Sequence, residues 1–294
     1  MTHIRRILFP IASFHSAAAL APSVNEMARR FDASVILVNA FNPVPEYVFG
    51  PAPETPCGSN EGPILFSPAL QQLRNRQERH LEEFAQTYFS GIRHAERIVD
   101  GNPARVIEWV SNCEDIDLVV MPTRGLGKFR RFLFSSVTSK ILHDVACPVW
   151  TSIHRLGRPW DSPTDYHSIL CVTRMSPEEA VVLETASLFA QAYGARLCLL
   201  HIQSISNEGR ERCTPQSLRQ AFDRVCHAMG WGISTDVCVR IQNGNKTSDV
   251  RQTASEQGAD LIIVDRGRER GVFSRAFSQL CTIIRESPCP VVSV

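Results

Sequence analysis

The residues best placed to do chemistry lie between 121 and 140, in the stretch MPTRGLGKFRRFLFSSVTSK. Two glycines, Gly125 and Gly127, are followed by Lys128, Arg130 and Arg131, and then by Ser135 and Ser136. An apolar-periodic segment, VTSKILHDVA, leaves the stretch and reads as a helix. Glycines let backbone N–H groups come close to an anion. A helix N-terminus adds unpaired donors and the positive end of its dipole, so the pattern suits a phosphate or a similar anion. GLGK at 125–128 is not a P-loop, because it lacks the GxxxxGK[ST] frame. Ser136, His143 and Asp144 are the residue types of a hydrolase triad. Ser136 and His143 are seven positions apart on one helix, about 10 Å by rise, which is too far for a hydrogen bond. No paired carboxylates sit at matched strand ends and no His/Cys spacing suits zinc, so neither vigorous turnover nor a protein-held metal is expected.

The 294 residues carry 31 Lys and Arg against 30 Asp and Glu, a net charge of +1. No basic stripe is available to neutralise a run of phosphates, which argues against nucleic acid and against a membrane surface as partners. The sequence has no run of about 18 apolar residues, and MTHIRRILFPIASF lacks a signal-peptide cleavage site. The 10 cysteines are scattered singly, several inside apolar stretches such as ILCVT and RLCLLHI. They read as core thiols of a cytoplasmic protein. His201, in LLHI, reads as a satisfied core histidine; its counterpart in the first half is Asn39.

That comparison of halves is possible because the chain repeats itself. RRILFPIASF (5–14) matches HSILCVTRMS (167–176), SVILVNA (34–40) matches RLCLLHI (196–202), and DIDLVVMPTRG (115–125) matches GADLIIVDRG (258–267). Each half closes on the same phrase, DVACPVWTS and ESPCPVVSV. The offset falls from 162 (Arg5 against His167) to 142 (Cys147 against Cys289), so the first half holds the longer insert. Short Val/Ile/Leu runs, apolar on both faces, alternate with segments of helical period, which predicts parallel sheets covered by helices on both sides. Helices are expected at about 16–31, 68–89, 103–113 and 136–146, and at about 177–193, 215–229, 247–257 and 278–286. The Gly/Pro/Asp-rich connector predicts domains at 1–153 and 165–294 with a linker at 154–164. NPVPEYVFGPAPETPCGSNEGP (42–63) is too rich in proline and glycine for either element and reads as a long loop, a ligand lid or a partner-binding surface.

Two five-stranded α/β units, each opening on a strand, carrying a G-N turn before the third helix and closing on CPV, resemble a tandem universal stress protein. The resemblance covers nearly the whole chain outside the linker and the 42–63 loop. It implies strand order 3-2-1-4-5 in each half and pairing of the two last strands, an internal pseudo-dimer that covers two sheet edges. It also implies a role in stress response or signalling, with an unidentified protein partner and, for the whole chain, room for a further homodimer. In ATP-binding members of the family the loop after the fourth strand reads Gly, two residues, Gly, nine residues, Gly, then Ser or Thr, and an Asp after the first strand holds the ribose.

Carried onto this chain, the nucleobase wall is Pro10, Ile11, Ala40 and Met121, and the ribose position falls on Ala12, not Asp. The phosphate loop keeps its spacing, with Gly125 and Ser135 separated by nine residues and Ser136 following, and with Val137 and Thr138 in the first helical turn. Pro122 and Ser135 replace the first and third glycines, removing a backbone donor and adding a Cβ. Arg124 and the following basic residues supply positive charge. In the second half Val264, Gly267, Phe277 and Ser278 take the four loop positions and Arg174 takes the Asp position, so no ATP site is expected there. The expectation is a binding or signalling module that holds an adenine nucleotide or another anion in its first half only. Two other classes stay open. One is a weak ATP hydrolase or related enzyme, for which Arg124 and Lys128 are the visible charge stabilisers. The other is a ligand-free dimerisation scaffold.

Overall fold

The computed structural model describes residues 3–42, 68–124, 136–154, 164–173, 180–203, 214–228, 230, 237–243, 246–266 and 275–294. In the first half the strands are β1 (Arg6–Pro10), β2 (Ser34–Phe41), β3 (His94–Asp100), β4 (Leu118–Arg124) and β5 (Val149–His154). Its helices are α1 (Phe14–Phe31), α2 (Pro68–Phe89), α3 (Pro103–Cys113) and α4 (Ser136–Asp144). The second half repeats the series with β6 (Ser168–Thr173), β7 (Arg196–Gln203), β8 (Val237–Asn243), β9 (Leu261–Val264) and β10 (Val291–Ser293). Its helices are α5 (Ala180–Tyr193), α6 (Pro215–Ala228), α7 (Lys246–Glu256) and α8 (Arg275–Glu286). All but Asn42 of the long 42–63 loop lies outside the described residues.

The strands form one sheet in the order β3-β2-β1-β4-β5-β10-β9-β6-β7-β8. Each half is parallel within itself in the order 3-2-1-4-5. The halves meet at β5 and β10, which pair antiparallel through Val291↔Thr151, Val292↔Trp150 and Ser293↔Val149. The two remaining edges are guarded by charge. Arg97 on β3 meets Glu114 at 2.9 Å, and Arg240 on β8 meets Glu256 at 2.7 Å, so the outer strands present ion pairs rather than bare backbone.

Side-chain alternation feeds two cores. Ile7 and Phe9 of β1 pack on one face with α1, α2, α5 and α6, while Leu8 packs on the other with α3, α4, α7 and α8. Each core runs through both halves, so the molecule is three layers deep and continuous across the seam. Repeated polar residues do the fastening. Asp117, just before β4, accepts the backbone N–H groups of Arg5 (2.7 Å) and Arg6 (3.0 Å). Its duplicate Asp260 accepts those of His167 (2.8 Å) and Ser168 (3.1 Å). The G-N turn is built the same way: Gly101 takes φ +135°, Asn102 caps α3 by accepting from the Ala104 N–H at 3.0 Å, and Pro103 fills the first helical position.

Burial sets the character of the thiols. Cys289 is pushed up to about 12 and Cys281 to about 11, in each case chiefly by removal from water. Cys113 is exposed. Among these three, alkylation by iodoacetamide at pH 8 is expected to label Cys113 first and to leave Cys281 and Cys289 unmodified in the folded protein. Peptide mapping by mass spectrometry reads the order, and early labelling of Cys289 would contradict it.

Candidate functional site

In an open parallel sheet the ligand crevice lies beyond the carboxyl ends of the strands, where the strand order reverses. In the first half that point lies between β1 and β4, the two strands on either side of the reversal. The β1–β4 register, Ile7↔Leu118 and Leu8↔Val119, carried along the parallel strands, sets Pro10 level with Met121. On the other side Pro10 pairs with Val38, and the Ile11 N–H donates to Val38 O at 2.8 Å, which puts Ala40 just beyond. The four residues expected to form a nucleobase wall therefore gather on three neighbouring strand ends. Ile11 and Met121 are buried, Pro10 and Ala40 are half-buried, and Ala12 is exposed at the start of the following loop.

Helix α4, described from Ser136, follows β4 in the chain. Val137 is half-buried and Thr138 buried in its first turn. Pro122 is half-buried near the end of β4, where its missing N–H leaves the ladder one donor short. Arg124 ends β4 opposite His154 of β5. Gly125 and Ser135 lie outside the described residues. The outer flank is closed by Arg74 of α2. Its guanidinium meets both Asp100 oxygens at 2.6 and 2.5 Å, donates to Ile98 O at 3.3 Å, and lies 5.9 Å over the Phe41 ring. That residue carried no motif and was not singled out in the sequence; besides Glu78 on its own helix at 3.2 Å, its partners are 24 to 33 positions away.

In the second half Val264 is fully buried, and Arg174 and Gly267 lie outside the described residues. One expectation is corrected here. The helix expected at about 278–286 is described from Arg275, so Phe277 and Ser278 both lie within it.

His201 and Asn39 show how the duplicate positions are used. Asn39 Nδ2 donates to Ile11 O at 2.7 Å. His201, at the same place on β7, contacts Thr173 O through Nδ1 at 3.0 Å; a carbonyl only accepts, so Nδ1 carries the hydrogen. Both side chains pin the carbonyl of the residue that leaves the first strand, which is a structural duty. His201→Asn, which copies the first half, is expected to stay within about 1 kcal/mol of the parent. His201→Leu, which removes this bond, is expected to lose about 1–3 kcal/mol in urea unfolding. Equal losses for both would refute the shared role.

Among the described residues no group of three or more His, Cys, Asp and Glu is placed to hold a metal ion, and no helix is long and apolar enough to cross a membrane.

Comparison with known proteins agrees with the architecture. The chain is 30% identical over 137 residues to a universal stress protein encoded in the 3′ region of a QAH/OAS sulfhydrylase gene of Thermus aquaticus, covering 47% of this chain and 89% of that one. A universal stress protein from Archaeoglobus fulgidus DSM 4304 superposes with a TM-score of 0.71 at 19% identity, over 100% of this chain and 97% of the other. The cytoplasmic domain of a prokaryotic cation chloride cotransporter superposes at 0.57 with 9% identity, over 98% and 94%, a likeness of fold alone. The model of the universal stress protein family matches twice, over residues 3–152 and 165–294. With two matches that together span nearly the whole chain, this protein belongs to the universal stress protein family.

Proposed function

We propose that the chain is a binding module of the stress response that holds an adenine nucleotide, or another anion of the same chemistry, in its first half alone. The supporting observation is the gathering of Pro10, Ile11, Ala40 and Met121 at the carboxyl ends of three neighbouring strands, ahead of a sequence that keeps the Gly125-to-Ser135 spacing, where the second half has Phe277 in place of Ser135. The phosphates would lie over Gly125, Ser135 and Ser136 at the positive end of α4, with the base between Pro10 and Met121. Ala12 cannot hold a ribose hydroxyl as an Asp does, so affinity would rest on the phosphates and the apolar wall. We further take 154–164 as the linker between two domains and place the protein in the cytoplasm.

Equilibrium dialysis with labelled ATP tests the assignment. Saturable binding below millimolar ATP is expected for the native chain. Ser136→Ala should weaken it by roughly fivefold, the loss of about one hydrogen bond, and Gly125→Trp should abolish it. No saturable binding by the native chain would remove the nucleotide, and binding indifferent to both substitutions would place the ligand elsewhere. A ligand-free scaffold is the second reading, favoured by the continuity of both cores across the seam.

A further inference from the structure

We propose that Arg266 is a positioning residue for the first domain's anion site, supplied by the second domain across the seam; this rests on the site assigned above. Arg266 follows β9 and is only 2% exposed. Its backbone is fixed where its N–H donates to Val294 O at 2.9 Å. Its guanidinium reaches into the other half, where Nη1 donates to Leu142 O at 3.2 Å and Val145 O at 2.9 Å, and Nη2 donates to Cys147 O.

These acceptors lie at the C-terminal end of α4. The last carbonyls of a helix have no partner within it. Ile141 O is taken by the Val145 N–H at 3.1 Å, and Leu142 O is left for Arg266. A buried cation at this end also complements the negative pole of the helix. A helix of this kind owes most of its stability to tertiary packing. Its opposite end is Ser136, about 13 Å away by helical rise. One rigid element thus has its N-terminus in the first domain's crevice and its C-terminus gripped by the residue that precedes Gly267, the glycine of the second domain's degenerate loop.

Met121 pairs with Thr151 and Val264 with Ser293, duplicate positions, so the residue two beyond is Thr123 in the first half and Arg266 in the second. By sheet register Arg266 therefore corresponds to Thr123, whereas the loop spacing had set it against Arg124. The second domain thus contributes to the orientation of its neighbour's site.

Arg266→Met removes the charge and the fork while keeping bulk, and Arg266→Lys keeps the charge. Two readouts are needed on the full chain: ATP affinity by calorimetry, and hydrogen exchange of the amides at 140–145 against those of α1. Arg266→Met is expected to speed exchange in α4 but not in α1 and to weaken ATP binding about tenfold, within the usual span of coupling between sites. Arg266→Lys should recover part of both. Unchanged ATP affinity in Arg266→Met would overturn the positioning role, and unchanged α4 exchange would overturn the latch even where ATP binds. If the native chain binds no ATP while α4 exchange still accelerates, the nucleotide assignment fails and the positioning role falls with it, leaving a structural latch.

Discussion

Trp150→Ala is expected to cost about 3–5 kcal/mol, the usual range for emptying a large buried aromatic site, and to lower the urea midpoint of the entire chain as a single transition. Trp150 sits on β5 at the seam, fully buried, and its indole N–H donates to the Tyr166 hydroxyl at 3.0 Å. Tyr166 packs against Tyr193 (4.8 Å between ring centres), and Phe189 meets Phe31 of the other half at 5.0 Å. Arg30 of the first half lies 5.2 Å over the Tyr193 ring and reaches Asp165 at 3.2 Å. Because these groups belong to both halves, the damage should spread to both. Trp150→Phe, which keeps a ring and loses the donor, should lose about 1–3 kcal/mol. Two separate transitions in Trp150→Ala, with one at the native midpoint, would show that the halves are stable independently of the seam.

Cutting the chain at the seam is expected to have an effect of comparable size. A fragment of residues 1–154 leaves β5 without β10, so the backbone groups and apolar surface that met the second half become exposed. An unpaired strand beside a buried tryptophan is a template for pairing with another copy. The fragment should therefore run as a dimer on size-exclusion chromatography with light scattering, through an antiparallel β5–β5 pair. A Thr151→Pro fragment, lacking one ladder donor, should stay monomeric or precipitate. A monomeric, well-folded native fragment would refute the dependence of the first half on its partner.

Much of the fold was legible in the sequence because it rests on local, repeated signals. Strand runs apolar on both faces announced the parallel sheet, and Gly101, Asn102 and Pro103 announced the turn into α3. The predicted spans of α2 and α3 agree with Pro68–Phe89 and Pro103–Cys113. The elements that carry the candidate site residues Pro10, Ile11, Ala40, Met121 and Ser136 were legible for the same reason. What escaped was non-local. Arg266 reads in sequence as one more basic residue of a loop, and its acceptors are 119 to 124 positions away. Tyr166 closes a polar connector in sequence yet is buried under Trp150, because what covers it comes from another part of the chain. The helix expected from about 278 already includes Arg275, Ala276 and Phe277.

The central claim is that one half binds and the other does not, and the stoichiometry of ATP binding to the intact chain tests it most directly. Isothermal titration should give one site per chain, abolished by Gly125→Trp and unaffected by Gly267→Trp. Two sites per chain, or one that survives Gly125→Trp and disappears with Gly267→Trp, would contradict the account.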